Sequence, residues 1–163
     1  MSKGDTLILT LPYNAQITPY FKIRSDAGKV IDIRTDNYRI RNTLSVRAEY
    51  VTSSGLQEYE SLGWMNGHQV RYYFPEGVEI MDVKYRETGY DTEFTGSFTC
   101  NDAFFNRLWD KALRTLYVTM RDTYMDCPDR ERAQWWGDLV NESGEAFYAL
   151  SPSAASLTQK GML

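Results

Sequence analysis

The chain has 163 residues, 42% apolar and 25% charged, enough for one domain or two small ones with a real core. Eighteen basic against 22 acidic residues leave a net charge of −4, so no basic surface advertises nucleic acid, and no apolar run nears the ~20 residues that span a bilayer. One histidine and two cysteines cannot build a Cys/His zinc site or a disulfide framework.

The opening MSKGDTLILTLPYN carries too short an apolar stretch, and too early a proline, for a secretory leader; the compartment stays open. Twelve Tyr, seven Phe and four Trp suit core packing, and such rings also stack on sugar faces, which composition alone does not separate.

The first ninety-odd residues read as strands and turns. Residues 17–24 and 30–34 flank Ser25-Asp26-Ala27-Gly28, a loop of turn formers. Residues 37–41 and 44–51 alternate apolar with polar at period two, which predicts half-buried strands. Ser53-Ser54-Gly55 turns the chain into 56–62, and Asn66-Gly67 is the strongest short turn signal. Strands at 70–74 and 78–86 surround the turn formers Pro75-Glu76-Gly77. Short strands at this spacing predict an antiparallel β-sandwich over residues 1–96, not βαβ units.

Near residue 100 the period changes. Phe104, Phe105, Leu108, Trp109, Ala112, Leu113, Leu116, Tyr117 and Met120 form one broad face of a helix about five turns long. Asn101 or Asp102 is placed to cap it, and Pro128 forbids its continuation. A second helix is expected over 139–150 with Asp138 as N-cap, followed by Ser151-Pro152-Ser153 and a small-residue tail that reads as linker. The two helices carry more apolar surface than one partner needs. Either they pack on the sandwich, or further helices belong beside them.

Between the helices, residues 122–138 hold seven charges and two adjacent tryptophans, interrupted by proline and glycine. Connections this long between helices are mostly functional or disordered, and Trp135 with Trp136 argues against disorder. Asp126, Glu131 and Asp138 can converge, with Arg130 and Arg132 to neutralise them. Crowded carboxylates raise one another's pKa, which would hold a protonated acid ready near neutral pH. The competing reading is a structural ion-pair network.

The block DCPDRERAQWWGD, with RDTYM just before it, resembles the signature of the bacterial α-L-rhamnosidase family of glycoside hydrolases. ESLGWMNGHQVRY, VKYRETGY and GSFTCNDAFFNRLWDKALRT are similar to the same family, so the likeness runs over about 50–150. It implies an α+β chain: a jelly-roll-like sandwich followed, over 97–163, by the first helical pair of an incomplete (α/α)6 barrel. It implies Glu131 as general acid, with Asp126, Arg130, Trp135 and Asp138 binding the sugar. The substrate would be a rhamnosylated glycan or glycoside, cleaved with inversion and without metal or cofactor. The family's base lies on a later barrel helix, so it is expected beyond Leu163, and the chain alone is expected to be inactive. Glu142 and Glu145 read as solvated or capping, and Cys100 and Cys127 as buried thiols, a disulfide between them being disfavoured. His68 reads as a surface residue. The alternative function is a non-catalytic sugar-binding sandwich with a helical appendage.

Overall fold

A computed structural model describes residues 1–151 and Leu157 of the chain. The tail expected after Ser151 lies otherwise outside the described residues. The chain divides into two compact units, Met1–Thr88 and Gly89–Leu163. Among the described residues, no helix is long and apolar enough to cross a membrane.

The first unit is built on β1 (Thr6–Ser25), with β2 (Val30–Thr35), β3 (Arg39–Ile40), β4 (Thr43–Leu44), β5 (Arg47–Val51), β6 (Gly55–Glu60), β7 (Met65–Tyr73) and β8 (Glu79–Thr88). All pairings are antiparallel. Six strands join in the order β5-β2-β7-β1-β6, with β8 also on β1, while β3 and β4 form a separate ribbon. Strand β1 serves two neighbourhoods. Its first part pairs with β7 and its second with β6 and β8, the β7 register breaking between Thr10 and Ala15. Pro12 falls in that break, where its missing N–H forfeits no ladder bond.

The period-two pattern of β1 decides which side is core. Ala15, Ile17, Phe21 and Ile23 are fully buried, while Thr18, Tyr20, Lys22 and Arg24 face outward. Phe21 meets Tyr72 and Phe74 at or after β7 and Tyr50 on β5, at centroid distances of 6.4, 6.0 and 5.3 Å. The sheet therefore folds over on itself, and one continuous sheet encloses the core as two layers would.

Three expected turns form where glycine can take positive φ: Gly28 (82°), Gly55 (93°) and Gly77 (77°). Asn66-Gly67 does not turn. Both lie inside β7 and are buried, and a Cβ on Gly67 would sit 2.7 Å from Thr35 Cβ. The glycine is there for close approach to β2, and the chain reverses earlier, around Gly63, where the Ser61 hydroxyl donates to the Gly63 carbonyl. Two strand expectations also shrink. Residues 37–41 retain only the exposed pair Arg39–Ile40, and 44–51 divides into β4 and β5. Arg41 and Asn42, both at positive φ, make the intervening two-residue turn.

In the second unit α1 (Ala103–Val118) is capped by Asp102, whose carboxylate accepts the Phe104 N–H at 2.8 Å. Helix α2 (Trp136–Ala149) starts three residues earlier than expected. Its N-cap is Trp135, without a side-chain cap bond, and Asp138 stands in the first turn, where its charge meets the positive helix end. The core joins Leu116, Met120, Tyr124, Leu139, Ala146 and Leu150. Before α1 the chain runs along the end of α2: Phe94 bridges Leu150, and the Thr95 and Gly96 N–H groups donate to the Ala149 carbonyl. Much of the broad apolar face stays outside. Phe104, Phe105, Leu108, Val140, Phe147 and Tyr148 are all exposed, Tyr148 at 78%.

Candidate active site

The loop between α1 and α2 is held by its apolar residues from below. Met120, Tyr124 and Met125 are buried, Met120 bridges Tyr124, and the Met125 N–H donates to the Thr119 carbonyl at 2.7 Å. Asp126 is then tied to Ala133 twice: its N–H donates to the Ala133 carbonyl, and its carboxylate accepts the Ala133 N–H, both at 3.0 Å. Thr123 and Gln134 are hydrogen-bonded across the same neck. This closes residues 127–132 into a lobe. Within it Arg132 takes φ of 53°, in the left-handed region, and donates from Nε to the Pro128 carbonyl at 3.0 Å. A strained non-glycine residue at such a lobe fits a built site, not a slack connection.

The lobe brings Asp126, Cys127 and Glu131 together, with their ligand-type atoms within 4.8 Å of one another. The Cys127 thiol donates to Glu131 Oε2 at 3.1 Å, and Arg130 is ion-paired with the same carboxylate. The Arg130 guanidinium first, and the thiol second, hold Glu131 down at about 2. The expectation of a raised Glu131 is overturned. Crowding does not set this group, because an adjacent cation and a donor outweigh the desolvation that acts the other way, and the site is open to water.

Trp135 stands at the start of α2, 57% exposed, and Asp138 lies one turn further, also exposed. Among the described residues Cys100 and Cys127 form no disulfide and are partly exposed, and His68 is exposed. The two cysteines are thus less buried than expected.

The carboxyl that is pushed upward is Glu142, read from the sequence as solvated or capping. It is half-buried, and its Oε2 has no hydrogen-bond partner among the described residues. Burial, with the negative charges of Asp138, Glu145 and Asp126, lifts it to about 7. A signal for this was present. On a helix Glu142 is one turn on from both Asp138 and Leu139, at the edge of the buried stripe Leu139, Ser143, Ala146.

Residues 93–156 match the family model for the bacterial alpha-L-rhamnosidase 6 hairpin glycosidase domain. No curated protein matches the chain. Among solved structures it is similar to the GH78 family rhamnosidase of Bacillus sp. GL1, at 25% identity and a TM-score of 0.76, covering 89% of this chain and 16% of that one. A Klebsiella oxytoca rhamnosidase with rhamnose bound shares the fold at 14% identity and a TM-score of 0.76, covering 91% and 34%. So does an α-L-rhamnosidase from Dictyoglumus thermophilum, at 21% and 0.71, covering 93% and 19%. The chain thus spans between 16% and 34% of the length of these proteins. Over most of its own length it resembles the bacterial α-L-rhamnosidases, and the lobe just described falls inside the segment matched to their six-hairpin glycosidase domain.

Proposed function

We propose that this chain contributes the acid half of an α-L-rhamnosidase active site, acting on terminal α-L-rhamnosides. The observation that carries the reading is the family match over 93–156, which includes the whole lobe and its carboxylates. In this reading residues 1–96 form the sandwich domain and 97–163 open the α/α barrel. The exposed apolar face of α1 and α2 is the surface that further barrel helices cover.

Glu131 is the general acid, protonating the glycosidic oxygen. Asp126 and Asp138 accept hydrogen bonds from sugar hydroxyls, Trp135 offers its exposed ring to the apolar sugar face, and Arg130 binds the sugar from the lobe. Arg130 therefore has two states. Paired with Glu131 it keeps the acid ionised; drawn onto the sugar it releases the carboxylate to take up a proton. Inversion needs a second carboxylate roughly 6.5–9.5 Å from Glu131, with the attacking water between them. That base belongs to another part of the barrel. No step calls for a metal or a cofactor.

Electrostatic catalysis depends on preorganised, water-excluded surroundings, and Glu131 stands exposed here. The chain by itself should give little or no hydrolysis of an aryl α-L-rhamnoside. In a barrel-complete protein Glu131→Gln should remove most turnover while leaving rhamnose binding; a Glu131→Gln enzyme with full activity would sink the assignment of the acid. Rhamnose binding by this chain is read from tryptophan fluorescence, and the response should vanish in Trp135→Ala. A binding response without any turnover in the barrel-complete protein would favour the sugar-binding module.

A further inference from the structure

The two oxygens of Glu131 are held differently. Oε1 faces the Arg130 guanidinium, and Oε2 accepts the Cys127 thiol at 3.1 Å. Arg130 is the movable partner, a long side chain 65% exposed, which the sugar reading draws away. Cys127 is the fixed one. Its side chain is short, and its neighbour Asp126 is tied to Ala133 through both backbone and carboxylate. Pro128 follows directly, and the turn over 128–131 folds Glu131 back onto the thiol. The proline fixes its own φ, and the Arg132 Nε bond to the Pro128 carbonyl braces the turn. A carboxylic acid carries its proton on one oxygen and accepts on the other. With the thiol donating to Oε2, that oxygen is the acceptor, and the proton belongs on Oε1.

We propose that Cys127 is a positioning residue for the acid: its thiol holds Oε2 of Glu131 as acceptor, so the catalytic proton sits on Oε1 once Arg130 has left. The inference rests on the sugar reading above for its catalytic half. Oε1 gives its proton to the glycosidic oxygen, the bond from that oxygen to the sugar breaks with its electron pair passing to the oxygen, and Glu131 remains as a carboxylate. A donor binds a carboxylate more strongly than a carboxylic acid, so the thiol favours the state that forms as the proton leaves. The low value of Glu131 agrees, the thiol being its second cause after Arg130. Among the described residues, the titratable groups at this carboxyl are Arg130, Cys127 and Asp126.

The first arm of the test uses the chain as it is, labelled with 13C at the glutamate carboxyls, with the Glu131 resonance assigned by its loss in Glu131→Gln. Arg130→Ala stands for the state in which the arginine has left. In that background Cys127→Ala should tighten proton binding by Glu131 about threefold or more, as loss of one hydrogen bond to the ionised form implies. Cys127→Ser, which keeps a donor on the same Cβ, should stay near the Arg130→Ala value. A Glu131 titration unmoved by Cys127→Ala, or raised equally by Ala and Ser, overturns the proposal, whatever the loop binds. The second arm follows kcat/KM for an aryl α-L-rhamnoside against pH in a barrel-complete protein. Cys127→Ala should lower kcat and move the fall in kcat/KM at high pH upward, because Glu131 then keeps its proton to higher pH, and Cys127→Ser should restore both. A lower kcat with an unmoved profile is what a merely structural thiol would give, and it overturns the positioning role. Full activity in Glu131→Gln counts against the acid reading and takes the positioning role with it, an outcome distinct from a silent Cys127→Ala in the first arm.

Discussion

Glu142 makes the stability of the second unit depend on pH in a direction opposite to most carboxylates. Its folded value is about 7, against 4.5 for an ordinary glutamate. Between those values the folded chain holds a proton that the unfolded chain has lost, so stability falls as pH rises from about 4.5 to about 7 and the loss is complete above that. At about 1.4 kcal/mol per unit the full shift corresponds to roughly 3 kcal/mol, and water reaching the ionised group reduces the observable part to about 1–3 kcal/mol. Glu142→Gln keeps the shape and cannot ionise. The assay is urea unfolding at pH 5, 6, 7 and 8, followed by tryptophan emission, since Trp109, Trp135 and Trp136 lie in the second unit and only Trp64 in the first. Wild type and variant should have similar stability at pH 5, and the variant should be the more stable by pH 8. Parallel curves across this range would refute the reasoning, because every other titrating group is common to both proteins.

Other consequences follow from close contacts and from the ion pair at the lobe. A Cβ at residue 96 would lie 1.9 Å from the Tyr148 carbonyl oxygen, which is backbone and cannot swing aside, so Gly96→Ala should destabilise the second unit by about 3 kcal/mol or more in the same urea assay. A midpoint within error of wild type would show that the 93–96 segment does not pack against the end of α2. Gly67→Ala drives a methyl toward Thr35 Cβ and should cost the β unit about 1–3 kcal/mol, measured from the loss of sheet circular dichroism on heating. Near-neutral behaviour would restore the turn that the Asn66-Gly67 pair suggests. Arg130→Ala removes the main cause of the low Glu131 value, so the Glu131 carboxyl titration should move up from about 2 toward the ordinary glutamate range by 13C NMR. An unmoved titration would transfer that role to Cys127.

Local chemistry was legible wherever it acts over a few residues. The turns at Gly28, Gly55 and Gly77 follow from glycine's access to positive φ, and the Asp102 cap follows from a carboxylate placed ahead of an apolar helical stripe. The alternation along residues 17–24 correctly marks Ile17, Phe21 and Ile23 as core. Asn66-Gly67 misleads because glycine serves two physical needs, positive φ and close approach, and only the neighbouring strand reveals which applies. Asp138 misleads similarly. A carboxylate suits both an N-cap and a first turn, and the helix starts earlier because the Asp126–Ala133 closure ends the lobe just before Trp135.

By itself, then, the sequence determined the β-then-α order, the local turns and the cap, and the 126–138 block that carries the likeness to rhamnosidases. Tertiary structure alone decided the protonation of the site. Arg130 and the Cys127 thiol reach Glu131 and hold its carboxyl well below the ordinary glutamate range, while burial and the negative charges of Asp138, Glu145 and Asp126 push Glu142, four residues beyond Asp138, up to about 7. A pKa depends on what lies within a few ångströms and on how much water remains there, and neither is written in the order of residues along the chain.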